Sequence, residues 1–289
     1  MADISAGEVK KLREKTGAGM MECKNALVST EGDFDKAVKL LKEKGLAALE
    51  QRAGRATNQG KVFVKIKDNG EGGSSAVLIE LNAETDFVAR NPDFIALGET
   101  IADTALEKNL TEPSGELNSL VQDLATKIRE NMGLKRLCLV KAGPNEYMTK
   151  YIHGDGNIGI LVKCESDKPE IFKNEDVKNF IFTLALHIAA FNPVAVDRTK
   201  IDQGWLAEQE GIFKVQMEKD EKLKGKPENV LEGILKGKVT KYLSEICLME
   251  QGYVKDEKIT VAKAVEECAK KVGAKLMITE YFYYKVGAE

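Results

Sequence analysis

Leu78 to Asp93 reads LIELNAETDFVARNPD, and the placement of this stretch governs the rest of the chain. Leu78, Ile79 and Leu81 form a short apolar run suited to a sheet, after which Thr85 stands at the N-cap of a helical turn beginning at Asp86. At a helix mouth the first N–H groups have no intrahelical acceptor and the dipole favours an acid, so local structure alone accounts for Asp86. It does not account for Phe87. Successive helical residues point about 100° apart, so if Val88 packs inward onto the strands, Phe87 projects from the surface. Two placements therefore satisfy the sequence: Phe87 as a core aromatic, the usual fate of its residue type, or Asp86 and Phe87 as an exposed recognition tip.

The bulk composition narrows the classes open to the chain. Its 289 residues exceed the common size of one domain, and 43% apolar content supplies a core for each of two or three units. Lys and Arg number 43 against 46 Asp and Glu, a net charge of -3, which leaves no electrostatic footprint for nucleic acid or an anionic membrane. The five cysteines are widely spaced without a C-x-x-C, so neither a disulfide framework nor a zinc site is expected, and a reducing cytoplasm is. No stretch reaches the roughly 18 apolar residues of a membrane span, and the N-terminus carries neither a signal core nor transit-peptide character.

Towards the N-terminus the periodicity predicts three short helices. Ser5 and Glu8 have capping-box spacing ahead of Val9 and Leu12, with Gly17 as the stop after Thr16. Met20, Cys23 and Leu27 fall on one stripe of the second helix. Phe34, Ala37, Val38 and Leu41 do so on the third, with Gly45 as its expected C′ residue. Met20 and Met21 are adjacent, and so small a core does not readily bury both. Methionine adapts to irregular partner surfaces, which makes one of the pair a candidate contact residue, with burial of both as the alternative.

Two segments carry a family resemblance. LREKTGAGMMECKNAL (12–27) and NAETDFVARN (82–91) resemble the two signature motifs of the elongation factor Ts family, the guanine-nucleotide exchange factors for elongation factor Tu. The resemblance implies a ubiquitin-associated-like helical domain over residues 1–55 that docks on the nucleotide-binding domain of Tu through Arg13, Met20 and Met21. It also implies that Asp86 and Phe87 approach the magnesium and phosphate region of Tu, the aromatic entering an apolar pocket, with Thr85 and Val88 beside them among the Tu-binding residues. His153 and Gly154, in YIHGDGNIG (151–159), resemble the family's strand-turn motif facing the same domain. The sequence departs from the family pattern at Asn157, Gly252 and Tyr253, where Arg, Pro and Phe are usual. Tu, through its nucleotide-binding domain and a second domain, is the implied partner. No cofactor, nucleic acid, membrane or direct nucleotide contact is implied.

The remaining chain fits that outline. Leu46 to Gly60 reads as a linker that starts helical and ends loose, and Val62–Ile66 and Ala76–Leu81 flank a Gly-rich hairpin loop. Asn91-Pro92 opens a helix with Phe94, Leu97, Ile101 and Ala105 inward, and a helix over 117–131 leads to a strand over Arg136–Lys141. This suits an antiparallel sheet covered by helices on one face. Ile160–Asp167 can be laid on Ile79–Asp86, a weak internal repeat, although Lys168-Pro169 replaces the aromatic. The predicted architecture is α+β: the helical domain, then two duplicated antiparallel-sheet-plus-helix subdomains at 56–146 and 147–289. The second carries a helical hairpin at about 194–242, with helices over Gln203–Leu223 and Glu228–Tyr242. A helix over Ile259–Val272 and a strand over Leu276–Tyr284 close the chain.

Enzyme chemistry finds little support. The sequence has no phosphate-cradling G-x-x-x-x-G-K-[ST], metal cluster or nucleophile elbow. A hydrolase would have to use His153 with Asp86 or Asp155, and no nucleophile is placed near them. His187, in an almost wholly apolar helical stretch, reads as a buried hydrogen-bonded histidine. An exchange factor with no catalytic site of its own is the expected function; an adaptor for a ubiquitin-like or ribosomal partner is the alternative.

Overall fold

The computed structural model describes residues 4–70 and 72–288, an α+β fold built on antiparallel sheets. Helices α1 (Ala6–Thr16), α2 (Met20–Ser29) and α3 (Phe34–Arg52) form the first unit around Val9, Leu12, Cys23, Ala26, Leu27, Ala37 and Leu41. The Ser5–Glu8 capping box is present, and Gly17 ends α1 in the left-handed region. Gly45 does not end α3, which runs on to Arg52. A Cβ at Gly45 would lie 2.3 Å from the Thr126 methyl carbon. The glycine is there to let α3 lie against helix α6 (Gly115–Ile128), a requirement that the sequence signal does not distinguish from a helix stop.

The first sheet has the order β1-β2-β3, from Gln59–Asp68, Ser74–Ala83 and Met132–Ala142. Between β2 and β3 run α4 (Asp86–Ala89), α5 (Pro92–Lys108) and α6. The second sheet has the order β4-β5-β8, from Glu146–His153, Ile158–Glu165 and Met277–Lys285. In each sheet the second strand of the initial hairpin is central, so Ile79, Leu81 and Ala83 occupy the same places in the first sheet as Ile160, Val162 and Cys164 in the second. Both sets face helices: α5 and α6 on one side, α7 (Glu175–Phe191) and α10 (Val261–Val272) on the other.

The other faces of the two sheets pack on each other, which the sequence did not reveal. Val62, Val64, Ala76, Leu78 and Val140 meet Met148 and Leu161 there. Leu78 and Leu161 are fully buried, each stabilising the fold by about 1.5–3 kcal/mol. The sheets lie tightly together at Gly159, where a Cβ would stand 2.3 Å from a Val62 methyl. Glu80 is buried at this junction with both carboxylate oxygens engaged: Arg136 Nε donates to one at 2.6 Å and the Gly287 N–H to the other at 2.9 Å. Paired in this way, a buried charge ties β2, β3 and the chain after β8 together.

The second half carries the expected helical hairpin, α8 (Gln203–Lys219) and α9 (Glu228–Ile246), rooted on Ala195, Ile201, Leu243 and Cys247. A two-stranded ribbon, β6 (Gly252–Tyr253) with β7 (Asp256–Thr260), follows it and was not anticipated, because a two-residue strand leaves no period to read. Among the described residues no helix is long and apolar enough to cross a membrane.

Candidate functional site

At the end of β2 the chain leaves the sheet through Glu84 and Thr85. Thr85 is extended (φ −123°, ψ 155°), and its hydroxyl oxygen accepts the Val88 N–H at 3.3 Å, which starts α4 as the sequence indicated. Val88 and Ala89 pack into the helix-side core of the first sheet. The geometry of one helical turn then sends Phe87 the other way, and it is 82% exposed, more than any other large apolar side chain among the described residues. The core placement of Phe87 is thereby excluded.

This turn is held from the segment that follows α6. The Glu130 carboxylate accepts both the Thr85 N–H (3.1 Å) and the Thr85 hydroxyl (2.9 Å), which leaves the hydroxyl oxygen free to cap Val88. Glu84 answers in the opposite direction, accepting the Asn131 N–H at 2.6 Å. That backbone donor first, and Arg55 at 3.3 Å second, hold the Glu84 carboxyl below its ordinary pKa.

The turn between β4 and β5 faces α4. His153 ends β4, exposed, with its Nδ1 hydrogen-bonded to the Tyr151 hydroxyl at 2.9 Å, and Gly154 takes the left-handed conformation (φ 59°) that turns the chain. The next three carbonyls are each claimed from elsewhere: Asp155 by Lys61 Nζ, Gly156 by the Val62 N–H (2.7 Å) and Asn157 by the Val286 N–H (2.9 Å). Arg90 stands between the two segments, 3.6 Å from Asp86 and 4.0 Å from Asp155. Thr85, Asp86, Phe87, Arg90, Asp155 and Asn157 line one cleft, so the structure brings the tip and the histidine turn to the same end of the molecule. Arg90, Lys61 and Glu130 were not singled out from sequence. Only Arg90 left a signal, its i,i+4 spacing from Asp86.

Arg13, Met20 and Met21 lie elsewhere, on the helical unit. Cys23, Ala26 and Leu27 fill the inward stripe of α2, leaving Met20 at 42% and Met21 at 64% exposure. The stripe assigned to Met20 is therefore corrected: both methionines face solvent. His187 is fully buried, hydrogen-bonded through Nε2 to Gln251 at 2.9 Å, and burial lowers its pKa.

An exposed aromatic among paired charges has the chemical character of a contact surface. The family model described as Elongation factor TS matches residues 84–288, starting at the glutamate that leads into the tip. The chain is 48% identical to elongation factor Ts of Treponema denticola over 285 residues, 99% of each chain. It is 42% identical to elongation factor Ts of Treponema pallidum over 294 residues, 99% of this chain and 100% of the relative. With elongation factor Ts of Clostridium acetobutylicum it shares 39% identity over 295 residues, 98% of this chain and 92% of the relative. The chain belongs to the elongation factor Ts family.

Proposed function

We propose that this protein promotes GDP release from elongation factor Tu in the bacterial cytoplasm, acting by contact and without a catalytic site of its own. The observation that carries the reading is the outward Phe87 on a turn whose cap, core anchor and carboxylate clasp are all satisfied within the chain. A side chain this apolar, held rigidly in water, gains most by entering a partner's pocket. Mg²⁺ holds phosphate oxygens in near-ideal octahedral geometry, so a small displacement of the partner segment supporting it weakens nucleotide binding sharply. Phe87 supplies the wedge and Asp86 stands beside it at the magnesium side. Val88 and Thr85 fix the angle of the tip, and His153 and Gly154 extend the contact from the turn after β4, beside the cleft.

In the proposed division of labour, residues 1–55 dock on the nucleotide-binding domain of Tu through Arg13, Met20 and Met21. Residues 56–146 carry the tip, and 147–289 add a contact to a second domain. Nucleic acid and the nucleotide itself are not bound.

The energetics are those of linkage. The protein binds nucleotide-free Tu more tightly than Tu·GDP, and GDP weakens its binding to Tu by the same factor. Measuring the four affinities around the cycle tests this. Equal affinity for the two forms of Tu would remove the mechanism and leave an adaptor.

A further inference from the structure

Arg129, Glu130 and Asn131 follow α6, and each reaches a different part of the molecule. Arg129 pairs with Glu22 on α2 of the helical unit. Glu130 clasps Thr85 at the cap of the tip. Asn131 gives its N–H to Glu84, and its side-chain amide donates to the carbonyls of Ala53 (3.3 Å) and Arg55 (2.8 Å), in the segment that joins α3 to β1. Three successive residues thus touch the helical unit, the segment leading away from it and the tip.

The backbone at this point is strained. Arg129 caps α6 in the left-handed region (φ 69°), a conformation that disfavours any residue with a Cβ. Glycine would relieve the strain but would lack the side chain that reaches Glu22. Its ion pair with Glu22 is half-exposed on both sides and adds little to stability. What the pair does is fix direction: Glu22 is itself held by the Gly19 N–H at 2.8 Å, so the guanidinium is tied to the start of α2, where Met20 and Met21 stand. The helical unit also leans on the last turn of α6, through Gly45 against Thr126 and Gly17 against Lys127.

We propose that residues 129–131 are the joint through which docking of the helical unit sets the angle of the Asp86-Phe87 tip, with Glu130 as its positioning residue. This rests on the exchange reading above. Glu130 acts through Thr85 and Arg129 acts through Glu22.

The test is stopped-flow GDP release from Tu with full-length Glu130→Ala, Glu130→Gln and Arg129→Ala, each with a thermal melt and with Phe87→Ala alongside. Glutamine keeps an oxygen to accept the Thr85 N–H, so it should restore release, whereas alanine cannot. Misplacement of a site by about 1 Å can cost up to about 100-fold, so Glu130→Ala and Arg129→Ala should lower the maximum release rate at least about fivefold. The half-saturating concentration of each should stay within about threefold of wild type, because the docking side chains Arg13, Met20 and Met21 are unchanged. A wild-type maximum rate in Glu130→Ala, or a loss in Glu130→Gln equal to that in alanine, overturns the joint. If Phe87→Ala releases GDP at the wild-type rate, the wedge reading falls and the joint with it, whereas slowed release in Phe87→Ala with a wild-type rate in Glu130→Ala overturns the joint alone.

Discussion

The Arg90 guanidinium lies 4.0 Å from the Asp155 carboxylate and 3.6 Å from that of Asp86, bridging the tip after β2 to the turn after β4. Half-exposed pairs of this kind contribute about 0–1 kcal/mol each, so their value is geometric. Arg90→Ala is expected to leave the melting temperature within a few degrees of wild type while slowing GDP release from Tu by about three- to tenfold. Melts and release kinetics on one preparation check both halves of the expectation.

Met20 and Met21 offer a contact surface that owes nothing to the core of their own unit. Replacing both by alanine should change stability by under about 0.5 kcal/mol each and weaken binding to Tu by about tenfold or more, since buried interface anchors commonly cost over 1 kcal/mol apiece. The maximum release rate at saturation should be preserved. Binding titrations with unchanged affinity would remove the docking role.

Acid should loosen the tip. The folded Glu84 carboxyl is held below its ordinary value of 4.5, chiefly by the Asn131 N–H. A depressed carboxylate contributes stability in full above its unfolded pKa and loses it as the pH falls through the folded one, so the Glu84 contribution begins to fall below about pH 4.5 and is gone once the pH passes the lower, folded value. Glu84→Gln should therefore melt lower than wild type near about pH 7, with the difference shrinking towards about pH 3. Parallel melts over that range check the sign.

Local chemistry made much of this fold legible. The Ser5–Glu8 box, the Thr85 cap, the Asn91-Pro92 start and the inward Val88 all lie where spacing placed them. What escaped was set by partners distant in sequence. Gly45 reads alike whether it stops a helix or admits Thr126. The sheet-on-sheet interface escaped because a face covered by strands and a face covered by helices present the same alternation. The unbroken run Ala76–Leu81 did hint that both faces of β2 are covered, with Glu80 as its exception. Glu130 and Lys61 are ordinary surface types by sequence, and only the fold brings them to Thr85 and Asp155.

Phe87→Ala tests the central claim most directly. A core phenylalanine would cost about 3–5 kcal/mol of folding stability on truncation, whereas a side chain as exposed as this one should change stability by no more than about 0.5 kcal/mol. A buried interface aromatic commonly costs about 2 kcal/mol or more in binding, roughly 30-fold in affinity or rate. Asp86→Ala should slow release less, because an acid at a helix mouth also serves the helix. Thermal melts paired with stopped-flow GDP release from Tu give the answer. The expected result is a melting temperature near wild type with release slowed at least about tenfold; GDP release at the wild-type rate from a normally folded Phe87→Ala protein would contradict it.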